Sequence, residues 1–374
     1  TGLLGVLVNQ FGGRLSDSLG RKPFYQLGPL VQVLSGLVGY SFSSNPLILV
    51  VAKTSRMIAT TFSGTVMGTA GMRDVFQGQE FGIRASKASA IIGMAIMLGP
   101  LLEGMMLKRV KPGMEKVTYL ALAALGLVGF FCNQLQLPET LPAGQRKAFD
   151  LQAALAGANP FGFTKIFTKG SPMLKKLATI STMQTMIDGK NMSDLGQLWM
   201  REHLKLSLES IRNFIMSFGF LATMSSGKLV PLLLKKMTVT GFTTFTNTTN
   251  MLAFTLRGLA ENSMLYFGSL PFMLPGVNGA SATALGPIIN KEMAASGFGT
   301  GESSAWINNM RVIASVIATL LYANCYAFCL KRGLPCGSAY VMAALVGAAI
   351  PQLLFMTTVD KAALESKAKP AGAK

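Results

Sequence analysis

Apolar stretches about as long as a bilayer is thick recur along nearly the whole chain, and that recurrence leaves few folds open. They fall at roughly 2–16, 24–42, 47–70, 88–107, 117–136, 176–200, 209–234, 238–257, 263–290, 303–330 and 335–357. Most approach the ~20 residues a helix needs to cross ~30 Å of hydrocarbon. With half of its 374 residues hydrophobic, only 13% charged and a mean hydropathy of +0.43, the chain cannot clothe a soluble globule in a solvated surface. Inside lipid each backbone polar group must be bonded within its own segment or in a closed barrel, and runs of this length suit helices. The composition and spacing therefore predict an all-α, multi-pass integral membrane protein with about eleven transmembrane helices.

The charge balance, 34 Lys and Arg against 16 Asp and Glu, fits the same class. The basic residues sit in the short gaps between apolar runs, so they read as a membrane-orientation bias and not as the basic face of a nucleic-acid-binding domain. Arg14, Arg21 and Lys22, then Arg73, Arg84 and Lys87, then Lys165, Lys169, Lys175 and Lys176, then Lys235 and Lys236, and finally the tail lysines alternate onto one side. By the positive-inside bias that side is expected to be cytoplasmic or its equivalent. Lys108-Arg109-Val110-Lys111 is a basic loop on the opposite side, suited to acidic lipid or an acidic protein partner. The four cysteines lie within or beside apolar runs and His203 is the one histidine. No metal site, cofactor or catalytic triad is expected, and the chain reads as a non-enzyme.

Between the first two apolar runs stands Gly13-Arg14-Leu15-Ser16-Asp17-Ser18-Leu19-Gly20-Arg21-Lys22. Glycine at each end permits close helix approach and a tight reversal, Asp17 supplies an acid, and Arg21 and Lys22 leave positive charge at the membrane surface. The spacing Gly-x-Leu-x-Asp-x-x-Gly-Arg-Lys resembles the signature loop after the second helix of the major facilitator superfamily, with every position filled. Pro138-Glu139-Thr140-Leu141 resembles the end of that family's sixth helix. Arg73-Asp74, Arg84, Lys87, Gly93 and Gly99-Pro100 follow the order of an inner loop and a fifth helix with the Gly-Pro motif typical of proton antiporters. The likeness is nearest the drug and tetracycline efflux branch. It implies a two-bundle fold of twelve helices, of which the first is missing here because only about fifteen residues precede the loop. It further implies that Asp17 approaches the helix starting near residue 300 when the inner gate is shut, attracted by the positive end of its dipole.

The chain divides into an N-terminal bundle over 1–137, a polar connector over 138–174 with room for a surface helix at 149–158, a C-terminal bundle over 175–358 and a disordered basic tail over 359–374. Gly227, Leu229, Lys235 and Lys236 repeat Gly13, Leu15, Arg21 and Lys22 at one constant offset, so the halves read as degenerate repeats. In the second copy Pro231 stands in place of the acid.

Ionisable residues inside apolar runs cost about 2.5–3.5 kcal/mol each on insertion scales, so they are the first candidates for function. Lys53 and Arg56 fall in the third run, Glu103 in the fourth, Asp188, Lys190 and Asp194 in the sixth, and Arg311 in the tenth. The stretch from Gln184 to Asp194 is the most polar of any run, and Gly189 is expected to break its helix; Gln184, Asn191, Asp194 and, from the Thr-rich run, Asn247 are candidates to line a cavity. The competing reading makes everything from Gln184 onward an outer loop. The sequence points to secondary transport of a small organic solute by alternating access, coupled to protons and directed outward. The partners are then the solute, protons and lipid. The alternative is a transport-inactive chain of the same fold that serves as a subunit among other membrane proteins.

Overall fold

A computed structural model describes residues 2–76, 78–111, 113–146, 159 and 161–368. Every regular element among them is helical. In chain order these are α1 (Gly2–Leu19), α2 (Lys22–Ser41), α3 (Pro46–Thr61), α4 (Gly68–Val75), α5 (Gly78–Arg109), α6 (Thr118–Gln136), α7 (Thr164–Lys169), α8 (Pro172–Gln184), α9 (Gly189–Leu198) and α10 (Leu208–Met224). Then follow α11 (Val230–Lys236), α12 (Val239–Gly258), α13 (Ser263–Gly268), α14 (Leu270–Met273), α15 (Ala280–Ala284), α16 (Gly286–Ala295), α17 (Thr300–Arg332), α18 (Ser338–Ala344), α19 (Ile350–Thr358) and α20 (Lys361–Ala368). Several neighbours are one rod interrupted by a wide π turn: Phe62–Met67 joins α3 to α4, Ser225–Leu229 joins α10 to α11, and Leu345–Ala349 joins α18 to α19.

Helices outrun the apolar windows that announced them. The fourth run, expected at 88–107, belongs to a helix that begins at Gly78, because Glu80, Arg84 and Lys87 continue the backbone pattern beyond the hydrocarbon. The charged loop is likewise mostly helical: α1 runs on to Leu19, and the reversal is confined to Gly20 and Arg21. Gly20 has φ +96°, and a side chain there would strike the Glu139 carboxylate, so both backbone and space require glycine.

Polarity is inverted relative to a soluble protein. Leu30, Leu34 and Leu37 on α2, Ile91, Ile92 and Leu102 on α5, and Leu125, Val128 and Phe131 on α6 are exposed, whereas Asn9, Arg21, Gln184, Asn247 and Asn309 are buried. Among the described residues five helical stretches, Glu80–Met106, Glu115–Gln136, Leu208–Lys236, Glu302–Arg332 and Ser338–Thr358, are long and apolar enough to cross a bilayer. Outward apolar faces of this extent are stable against lipid chains and not against water.

Two compact units make up the chain. One comprises Thr1–Val75, Leu101–Thr168 and Gly297–Val312, and the other Phe76–Pro100, Lys169–Ser296 and Ile313–Lys374. In the first, α2 and α6 lie close because small residues face each other: a Cβ on Gly36 would come within 2.7 Å of the Ala123 nitrogen and the Tyr119 carbonyl. Phe62, Val66, Met67 and Ala305 form its apolar core with Val8, Phe24 and Tyr25 packed around them. In the second, Trp199, Phe254, Tyr266, Tyr322 and Tyr340 centre a larger core.

The tail expected to be disordered over 359–374 is a helix over Lys361–Ala368. Leu364 is fully buried, the Glu365 carboxylate accepts from the Thr240 N–H at 2.8 Å, and Lys367 pairs with Glu292, which also accepts from the Ser171 hydroxyl. One apolar residue and two ionic anchors outweigh the ordering entropy that the tail's composition alone would not offset. The connector helix expected at 149–158 lies outside the described residues.

Candidate functional site

In the first unit the end of α1 and the start of α2 hold a buried charge cluster. Arg21, with none of its surface exposed, donates through Nη1 to Asp17 Oδ1 at 2.8 Å and to Ser16 Oγ at 2.5 Å, and through Nε to Asp74 Oδ2 at 3.0 Å. Asp17 and Arg21 meet because residues four apart stack on a helical face that Gly20 only just ends. The Ser16 hydroxyl donates to the Gly13 carbonyl at 2.7 Å, and Thr140 donates to Asp74 Oδ2 at 3.3 Å. Burial works against the Arg21 charge, but Asp74 and Asp17 outweigh it and hold the guanidinium more firmly protonated than a free arginine.

Glu139 ties the end of α6 to this reversal. Its Oε1 accepts from the Arg21 N–H at 2.8 Å and the Leu141 N–H at 3.0 Å, and its Oε2 from the Lys22 N–H at 3.2 Å. Arg146 stands 3.5 Å away. Partial burial opposes ionisation of Glu139, yet the N–H groups of Leu141, Arg21 and Lys22 prevail, with Arg146 adding to them, and the carboxyl titrates below the usual range. Lys22 itself points outward, its Nζ donating to the Gln134 carbonyl at 2.9 Å.

The same cluster reaches the first turns of α17. Arg14 pairs with Glu302 at 2.5 Å, Arg73 Nη1 donates to Ser304 Oγ at 2.8 Å, and Asn9 and Asn309 share a buried bond at 3.2 Å. Arg14 and Arg73 link the cluster to this helix start, and Asp17 pairs with Arg21.

The second unit holds the interrupted helix. After Gln184 the chain tightens into a 3-10 turn at Thr185–Ile187, Asp188 steps out at ψ 141°, and α9 resumes at Gly189. The break lies just before Gly189, and a helix continues beyond it, so the chain is helical on both sides of the break. The Asn191 amide holds the turn open by donating to the carbonyls of Thr185 at 2.8 Å and Met186 at 3.2 Å, and the Tyr322 hydroxyl donates to the Met186 carbonyl at 3.1 Å. Beside the turn runs a buried amide chain: Gln184 Nε2 to Asn247 Oδ1 at 2.9 Å, and Asn247 Nδ2 to Gln352 Oε1 at 3.0 Å. Asp188 is half-buried at the break.

The remaining candidates scatter. Lys53 is exposed and Arg56 half-buried on α3, and among the described residues neither joins the Arg21 cluster. Asp194 is exposed on α9, because the break at 185–188 shifts the helical register assumed for it. The side chains of Glu103 and Lys190 lie outside the described residues. In the second repeat copy, Gly227 to Lys236 runs from the π turn straight into α11 with no reversal, and the basic pair Lys235 and Lys236 is exposed. Arg21 is drawn inward by two acids, and Pro231 offers none. Among the described residues no group of His, Cys, Asp or Glu is arranged to hold a metal.

A helical chain with extensive exposed apolar faces and buried charged and amide side chains is a multi-pass integral membrane protein. A profile of the Major Facilitator Superfamily matches residues 1–319, and the chain belongs to that superfamily, whose members carry out secondary transport of small molecules across two helical bundles. Solved structures share the fold. The human organic anion transporter MFSD10 (TETRAN) matches with a TM-score of 0.70 at 18% identity, covering 95% of this chain and 81% of its own. The proton:xylose symporter XylE matches with a TM-score of 0.75 at 13% identity over 98% and 86%, and the E. coli fucose:proton symporter FucP with 0.65 at 12% identity over 96% and 95%. A search of curated protein sequences found no significant relative.

Proposed function

We propose that this protein exports a small organic solute in exchange for protons by alternating access, with the bundles over 1–137 and 175–358 as the rocking bodies. The observation that carries the reading is the interrupted helix at Asp188. A break of this kind takes backbone groups out of the helical ladder, here held by the Asn191 amide and the Tyr322 hydroxyl, and it places a carboxylate beside them. Protonating Asp188 removes one negative charge from that interior, so states that expose it to opposite sides of the membrane differ in proton affinity, and a proton gradient drives the cycle. Export and the antiporter sense draw support from Gly99-Pro100 in α5, the motif that resembles proton antiporters.

The test is flux in proteoliposomes loaded with a pH-sensitive dye and challenged with a panel of organic cations, anions and sugars. At least one solute is expected to move protons, and Asp17→Asn and Asp188→Asn are each expected to abolish that coupling while the protein still elutes as a folded species. Coupling unchanged in both variants would discard the mechanism. One observation favours a transport-inactive subunit instead: the second repeat copy has Pro231 where the first has its acid. Purification only with fixed partner chains, and no solute response, would select that reading.

A further inference from the structure

The basic stretch Lys108-Arg109-Val110-Lys111, with Lys116 beyond it, stands on the side that the positive-inside bias expects to be poor in cations, and the transport reading leaves it unused. In the first unit these residues border the turn between α5 and α6. Lys108 and Arg109 end α5, the Lys111 carbonyl accepts from the Met114 N–H at 3.0 Å, and Lys116 Nζ lies 5.3 Å from the centre of the Tyr40 ring in the last turn of α2. Both α2 and α6 run from here to the reversal held by Arg21 and Glu139, so the two charged places are a helix length apart. Unlike the Arg21 cluster, this one has no acid folded into it. All four cations are exposed, and none makes an ion pair among the described residues. Glu115, the one carboxylate between Lys108 and Lys116, is turned back to accept from the Gly113 N–H at 3.0 Å.

The apolar spans on either side set the depth of these charges. One span ends at Met106 and the next starts at Glu115, so each cation lies no more than four residues from an apolar boundary. Leu101 and Met105 are exposed on the same face of α5 as Lys108 and Arg109, because residues three and four apart stack, and Leu120 is exposed one turn inside α6. The face suited to acyl chains is thus continued by positive charge at the depth of the headgroups. A phosphate at that depth meets several cations at once, whereas a turn this short offers an acidic protein little surface clear of the bilayer.

We infer that Lys108, Arg109, Lys111 and Lys116 form a binding surface for the headgroup of an anionic phospholipid. Their ammonium and guanidinium groups donate to phosphate oxygens, while their aliphatic stems lie along the apolar surface below. Lipid binding here is independent of whether the chain transports.

The experiment reconstitutes the full chain carrying Met105→Trp in mixtures of phosphatidylcholine and phosphatidylglycerol, with bromine on the acyl chains of one lipid and then of the other. Bromine quenches tryptophan only at short range, so the two curves give the relative affinity of the lipids at this face. The chain without the reporter supplies the background from Trp199 and Trp306, both buried. Phosphatidylglycerol is expected to be preferred about fivefold or more, and Lys108→Gln, Arg109→Gln, Lys111→Gln and Lys116→Gln together to bring the ratio within about twofold of unity. A Leu135→Trp reporter, at the exposed far end of α6 about 28 Å from Lys116, is expected to show a lipid preference that the four substitutions leave unchanged. No quenching at the Met105→Trp reporter, a preference that survives the four substitutions, or one lost equally at both reporters overturns the inference. Equal affinity for the two lipids also overturns it, and makes an acidic protein the partner to seek. Should the four-site variant fail to fold, the unsubstituted reporter chain is measured from about 0.05 to about 1 M sodium chloride, where screening shortens from well over 10 Å to about 3 Å. A preference that falls about threefold or more supports the surface, and a smaller change overturns it.

Discussion

Replacing Arg21 with methionine is the most direct trial of the charge cluster. The guanidinium is wholly buried and serves Asp17 at 2.8 Å and Asp74 at 3.0 Å at once, so its loss strands two carboxylates within one guanidinium's width. Removing one member of a buried pair costs about 3–5 kcal/mol, and with two acids left facing each other the expected loss lies near the upper end. The triple variant Arg21→Met, Asp17→Asn, Asp74→Asn keeps similar shapes and removes all three charges. Neutral replacement of a whole buried ionic group is often without net penalty, so this variant is expected to recover at least ~2 kcal/mol of the loss. Stability is read by titrating folded protein in mild detergent with dodecyl sulfate and following the fluorescence of Trp199 and Trp306. A single variant within ~1 kcal/mol of the parent, the size of an exposed pair, would refute the argument that burial makes this cluster costly to break. A triple variant no better than the single would refute the argument that stranded charge is the cause.

Glu139 supplies a pH dependence whose sign is fixed by its surroundings. Its carboxyl titrates below the usual range in the folded protein, so it contributes stability above its unfolded pKa of about 4.5 that is lost as pH falls through the lowered folded value. Between pH 7 and pH 4 the parent's dodecyl sulfate midpoint is expected to fall more steeply than that of Glu139→Gln, and parallel curves would count against the bonds described. Gly36→Ala is expected to destabilise by about 1–3 kcal/mol because its Cβ meets backbone atoms that cannot swing aside. Gly64→Ala, facing open space, is the matched control, and equal effects at the two positions would remove close packing as the cause.

The charged reversal was legible because Asp17, Arg21 and Lys22 stand out against apolar runs and lie within one helical turn or a single bend of each other. Asp74 and Glu139 could be read as motif residues, but their meeting with Arg21 spans 53 and 118 residues of chain, a closure that periodicity does not report. The interrupted helix was legible in kind and misplaced in position. Glycine suggested a break at Gly189, whereas the Asn191 amide and the Tyr322 hydroxyl, one from the next turn and one from α17, capture the freed carbonyls upstream. Hydropathy windows gave helix axes well and helix ends poorly, since Glu80, Arg84 and Lys87 extend α5 where no apolar signal remains. Arg73 drew notice as one of the orienting basic residues and as half of a dipeptide; its bond to Ser304 depends on tertiary packing alone.

The terminal helix α20 bears on how the molecule can be handled. A protease cut or a shortened gene ending before Lys361 would remove the lysine that neutralises Glu292 and the carboxylate that engages the first turn of α12, and would bare the socket filled by Leu364. Affinity tags and fluorescent reporters are therefore safest when appended past Ala368 on a flexible spacer, and a trimmed version prepared for crystals would be expected to lose heat tolerance before any change in its cargo appeared.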